Sequence, residues 1–153
     1  MSVLLGTELN STLRDLFDKR INTAIIATVD QDLRPHTAPF NYIVALDSKN
    51  IRIAISRNHQ TYSNIVDNGY VAMAVLDEGD IAVCIKGIAK VIRGTMECDY
   101  NMAVIELEIT EIKKDNSNQY FVTQGIRIRH KNEPALLFTR KIFQELAQFS
   151  HQN

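Results

Sequence analysis

Along this chain, apolar residues fall mostly into alternating or β-branched runs, and helical spacing is strong only near the two ends. Leu9, Leu13, Leu16 and Phe17 recur every three or four residues, which predicts a helix over about residues 8–19 with Thr7 as its cap. Residues 23–29 are small, β-branched or aliphatic, and Asp30, Gln31 and Asp32 supply a turn before a second extended run over 35–46. After a turn at 47–50, Ile51, Ile53 and Ile55 alternate with Arg52, Ala54 and Ser56, the pattern of a half-buried strand.

A polar stretch, Ser56 to Thr61, interrupts the strands and opens a short helix that closes at Asp67-Asn68-Gly69, with Gly69 suited to a left-handed cap. Two more strands follow over 70–76 and 81–93, and Gly87 inside the longer one marks a bulge or a barrel corner. Residues 95–102 read as a turn or two of helix, and Ile105, Leu107 and Ile109 as a strand wet on one face. Beyond Lys114 the pattern weakens, with partial alternation over 120–129. A final helix over about 133–149 carries the stripe Phe138, Ile142, Leu146 and Phe149, with Pro134 in its first turn. Six or so mostly antiparallel strands with interspersed helices predict a small barrel rather than a doubly wound sheet.

The 153 residues suit one domain, and 45% hydrophobic with 23% charged residues is a globular composition. A net charge of −1 gives no general attraction to nucleic acid or an anionic membrane. Neither a secretory leader nor a membrane-spanning apolar run is visible, and the two cysteines, Cys84 and Cys98, make no disulfide framework. A reducing cytoplasm is the expected location. The four histidines have no metal-ligand spacing, no glycine pattern frames a nucleophilic serine, and the glycines are too scattered for a dinucleotide fingerprint.

What remains is the strand-to-helix junction at 56–61. Backbone N–H groups at a helix start, with nearby hydroxyls and Arg57, suit a phosphate. On spacing alone the plainer reading, a cap on Thr61 or Asn58 with solvated neighbours, is favoured. For the basic cluster of Arg127, Arg129, His130 and Lys131, charges pointed at water are favoured over a contact with a phosphate or nucleic acid.

The ordered segments TAIIATVD, RPHTAPFNY, ISRNHQTYSNIVDNGYVAMAVL and IKGIAKVI resemble the FMN-binding split-barrel family, which includes relatives of pyridoxamine 5′-phosphate oxidase, over about residues 23–112. The resemblance implies a mainly β fold with flanking helices, a six-stranded antiparallel split β-barrel. It implies FMN as cofactor, its phosphate near Ser56, Arg57, His59, Gln60 and Thr61, with Asn64 bracing the helix. It places Thr37, Pro39, Phe40 and Asn41 beside the flavin ring, and Lys86 and Gly87 at its edge. It further implies a homodimer with FMN at the subunit interface and a small-molecule substrate or electron donor; the stripe of the final helix, widened by Leu136, Leu137 and Phe143, suits packing on the partner subunit. Many relatives carry a lysine in the phosphate loop where this chain has Gln60 and Thr61, which leaves Arg57 as the nearby cation. An oxidoreductase or electron-transfer protein is the leading expectation, ahead of a non-catalytic module that holds flavin or haem, or a cofactor-free structural dimer.

Overall fold

The computed structural model describes residues 2–19 and 21–148. Eight strands form one antiparallel sheet: β1 (Val3–Gly6), β2 (Ala24–Val29), β3 (Pro35–Phe40), β4 (Ile43–Ala45), β5 (Asn50–Ser56), β6 (Tyr70–Asp77), β7 (Ile81–Arg93) and β8 (Met102–Lys114). Three helices accompany them: α1 (Ser11–Lys19), α2 (Gln60–Asp67) and α3 (Glu133–Gln148). The sheet order is β3-β2-β6-β7-β8-β5-β4, with β1 joining β8 beyond β5. The two edge strands, β3 and β4, are consecutive in the chain and meet at Asn41-Tyr42, so the curled sheet is drawn together at a covalent corner. This is the split barrel the sequence suggested, with two further strands.

The first extra strand arises because the run over 35–46 breaks at Asn41-Tyr42 into β3 and β4. The other is β1, whose Val3, Leu4 and Leu5 stay exposed and which is held through its backbone pairing to the end of β8. Alternation is otherwise a faithful guide. In β2 every second residue is buried, and Ala24 and Ile26 join Ile53, Met73, Ile85, Leu107 and Ile112 in the barrel core. α1 closes one end with Leu13 and Phe17, together with Leu9 just before it. It begins later than residue 8, because the Asn10 side chain, rather than Thr7, accepts from the Leu13 N–H at 2.9 Å.

Gly87 does mark a bulge. The β7–β8 register slips between Lys86 and Gly87, and a Cβ at Gly87 would lie 2.1 Å from the Glu108 carbonyl oxygen. Gly69 has a different use from the left-handed cap expected of it. α2 ends at Asn68 in extended backbone, and Gly69 lets the chain pass so close to β7 that a Cβ would sit 2.6 Å from the Ala89 carbonyl.

Residues 95–102 form turns instead of a helix, since their N–H groups are claimed from elsewhere. The Glu145 carboxylate of α3 accepts from the Glu97 and Cys98 N–H groups at 3.0 and 2.8 Å. The expected alternation over 120–129 yields no strand; the segment is tied by Val122 to Asp80 and by Arg127 to Asp77. α3 packs on its own sheet, Ile142 and Leu146 forming a second apolar cluster with Ala54, Met96, Met102 and Val104. Its stripe is therefore not reserved for a partner; Phe149 lies outside the described residues. Buried Arg52 fastens the helix end, donating to the Leu146 carbonyl at 3.2 Å and to Glu106 at 3.4 Å. Among the described residues no helix is long and apolar enough to cross a membrane.

Candidate cofactor site at the head of α2 and the outer trough

β5 ends at Ser56, and the chain turns through Arg57 and Asn58 before His59 caps α2. The cap is an imidazole: His59 Nδ1 accepts the Thr61 N–H at 3.1 Å, so neither Asn58 nor Thr61 plays the role. The usual cap residues carry side-chain oxygens, which is why sequence reasoning passed over histidine. Ser56 organises the turn, its Oγ accepting from the Asn58 N–H at 3.3 Å and its carbonyl from the His59 N–H at 3.1 Å. Arg57 is exposed, its guanidinium 5.7 Å from the centre of the Tyr100 ring, a cation–π contact that a stronger anion can outbid.

Beneath the cap lies a polar relay. Gln60 donates to Asn64 at 2.8 Å, and Asn64, almost fully buried, donates to the Thr28 hydroxyl of β2 at 2.9 Å. Asn64 thus braces the helix against the barrel. Two polar atoms here lack a hydrogen-bond partner among the described residues although both are buried: the Thr61 hydroxyl and His36 Nε2. An unmet buried group costs about 1–3 kcal/mol, so a pair of them beside one helix start needs a reason. The His59 ring stands edge-on to Phe40 at 5.2 Å and to His36 at 6.0 Å. Burial, then the neighbouring His36, lowers the His59 pKa below 6.5, which keeps Nδ1 free to accept.

The remaining predicted residues lie on the other side of the same strands. In β3, Thr37 and Pro39 face outward while Ala38 and Phe40 are buried. Register then sets a row across four strands: Thr37 opposite Ala27, Ala27 opposite Ala72, and Ala72 opposite Lys86. Small side chains at the centre of this row leave a trough of about 380 Å³, walled by Val29, Tyr70, Ile88 and Thr110. Lys86 and Gly87 are in its lining, and the Lys86 ammonium reaches the Glu111 carboxylate at 3.7 Å. The trough is strongly apolar, and its Tyr70 is 69% exposed.

The twelve predicted residues therefore form two groups and one outlier. Ser56, Arg57, His59, Gln60, Thr61, Asn64 and Phe40 gather at the head of α2; Thr37, Pro39, Lys86 and Gly87 belong to the outer face. Asn41 stands at the β3–β4 corner, its carbonyl oxygen accepting from Thr23 at 2.6 Å. The two groups occupy opposite faces of β2 and β3, and β3 is an edge of the sheet, with Pro35 and Pro39 where no ladder N–H is needed. A ligand that served both would pass around that edge. Sequence reading missed His36 and Thr28, although strict alternation places His36 on the face opposite Thr37. It also missed Tyr70, Ile88 and Thr110, which only the strand register brings together.

Neither cysteine is an activated nucleophile. Burial and a hydrogen bond to Glu145 push Cys98 up to about 11, and burial also raises Cys84. No cluster of three potential metal ligands occurs among the described residues.

A curled antiparallel barrel with a polar helix start below one edge strand and a flat apolar trough above it is the architecture of a small split barrel. The sequence model of the pyridoxamine 5′-phosphate oxidase family matches residues 9–123, and the chain belongs to that family. It is 27% identical over 134 residues to YclD, an uncharacterised protein of Bacillus subtilis, with 86% of each chain covered. Its fold is shared with a proposed pyridoxamine 5′-phosphate oxidase of Lactobacillus delbrueckii, at a TM-score of 0.63 and 24% identity, covering 73% of this chain and 98% of the other. An FMN-binding protein of Syntrophomonas wolfei superposes with a TM-score of 0.52 at 16% identity, covering 65% and 80%.

Proposed function

We propose that this protein binds FMN and acts as a flavin-dependent oxidoreductase or electron-transfer protein, working as a homodimer. The observation that carries the reading is the buried, unpartnered Thr61 hydroxyl in the first turn of α2, a donor held ready where a phosphate is favoured by the helix start. Thr61, Gln60, Ser56 and Arg57 would hold the phosphate, with Asn64 fixing the helix. Thr37, Pro39, Lys86 and Gly87 would meet the ring system, against the small residues of the trough. Bound flavin supplies hydride or single-electron chemistry; the chain supplies orientation, an apolar surround and the Lys86 charge.

Family membership and the FMN-binding relative support the choice of cofactor. The fit is weaker than a basic loop would give. Arg57 is the one lysine or arginine between Ser56 and Asp67, and it rests on Tyr100. One missing charge-assisted bond costs about 1.5–3 kcal/mol, or roughly tenfold to a hundredfold in affinity. The exposed trough favours the dimer, because a second copy would remove Tyr70 and Ile88 from water and shelter a flavin lying beside them.

The test is FMN titration followed by visible absorbance after gel filtration, with the oligomeric state read from the same column. Saturable binding approaching one flavin per chain, with dimer elution, is expected. No saturation up to about 1 mM, an affinity worth only about 4 kcal/mol, overturns the cofactor assignment.

A further inference from the structure

A second cavity, of about 330 Å³, opens between the Asn41-Tyr42 corner, the segment before α3 and the first turns of that helix. The structure separates the basic cluster that leads into it. Arg127 is spent on Asp77, which is fully buried, at 2.9 Å. Arg129, His130 and Lys131 instead line the cavity, and neither Arg129 nor Lys131 has a hydrogen-bond or ion-pair partner among the described residues. Among the described residues no carboxylate contributes to the wall.

We propose that this cavity binds a small organic anion with a planar apolar body. Its charged end meets Arg129 and Lys131. The other polar groups suit an acceptor as well: Asn41 has its carbonyl oxygen committed to Thr23, which leaves its NH₂ as the uncommitted half. His130 Nε2 is paired with the Thr139 hydroxyl at 3.0 Å, and this pair holds the segment against α3. The apolar body is met by the rings of Tyr42 and Phe138, 6.1 Å apart and inclined at 67°, an edge-to-face arrangement that offers an edge and a face to a flat group. The volume is at the small end of ligand pockets, room for a single-ring compound. None of these groups except Asn41 figures among the residues assigned to the flavin. Residues 128–139 lie beyond residues 9–123, the stretch matched by the family model, whereas Ile21, Asn41 and Tyr42 lie within it.

Phenyl phosphate is the probe, with benzyl alcohol as its neutral counterpart and inorganic phosphate as its ringless one, each titrated into the full chain and followed by backbone amide shifts. Phenyl phosphate is expected to saturate below about 1 mM with shifts centred on Tyr42, Ala135 and Thr139. Benzyl alcohol should not bind, and inorganic phosphate should bind at least tenfold more weakly. The double variant R129Q/K131Q changes two exposed, unpartnered side chains, so it should fold normally and lose at least tenfold in affinity. Absence of saturation, equal affinity in the double variant, equal binding of inorganic phosphate, or shifts centred on α2 would each overturn the assignment.

Discussion

Replacing Thr61 with valine should move stability and cofactor binding in opposite directions. Thr61 is fully buried and its hydroxyl has no partner among the described residues, whereas valine has the same shape and nothing to satisfy. A buried unpaired hydroxyl costs about 1–3 kcal/mol in proteins, so Thr61→Val should stabilise the unliganded chain by about 1–2 kcal/mol. For a chain of this length that is a rise in melting temperature of roughly 2–8 °C. If the same hydroxyl is the phosphate donor, FMN affinity should fall by roughly tenfold to a hundredfold, the worth of one hydrogen bond to a charged acceptor. Thr61→Ser gives the reverse pattern: it keeps the donor and loses a buried methyl, about 0.8 kcal/mol of stability, with FMN binding retained. Differential scanning fluorimetry and flavin fluorescence titration on the three proteins decide the matter. A lower melting temperature for Thr61→Val together with unchanged FMN affinity would refute the reasoning on both counts.

Gly87→Ala forces a Cβ to within 2.1 Å of a backbone carbonyl and should cost about 3 kcal/mol or more, whereas Gly94→Ala, with open space around the added carbon, should stay within about 0.5 kcal/mol; urea melts measure both. His59 has a folded pKa below its ordinary 6.5, so folding binds fewer protons than the unfolded chain does. Its contribution is complete above about 6.5 and is lost as the pH falls below that value. Thermal melts between about pH 7.5 and 5.5 should show the decline, and His59→Asn, which keeps a capping oxygen without the titration, should flatten it.

Much of the barrel is legible in the chain because its strands alternate strictly: β2 buries every second residue, and β7 announces its bend through Gly87. What escaped depends on partners distant in sequence. Val3 to Leu5 show no alternation because β1 is held by its backbone, and residues 95–102 miss their helix because a carboxylate some fifty positions later takes their N–H groups. The head of α2 was legible as a polar interruption between Ile55 and the next apolar run. The features that single it out, an unmet hydroxyl at Thr61 and an imidazole cap at His59, are created by packing against β2 and β3. For the basic cluster, spacing alone could not show that Arg127 faces a buried aspartate while Arg129 and Lys131 have no such neighbour.

The position of β8 carries a lesson about biosynthesis. It pairs with β7 along one side and with β5 and then β1 along the other, so it is the seam that joins the two flanks of the sheet. Yet among the described strands it comes last in chain order, ending at Lys114. While the chain leaves the ribosome, β2, β3, β6 and β7 can associate as one unit and β4 with β5 as another. Their ladder edges stay open until the final strand emerges to zip them together. The nascent protein thus exposes unpaired, isoleucine-rich edges until β8 emerges, and any truncation before residue 102 leaves two half-sheets with no ladder between them, joined only through the covalent chain at the Asn41-Tyr42 corner and through α2.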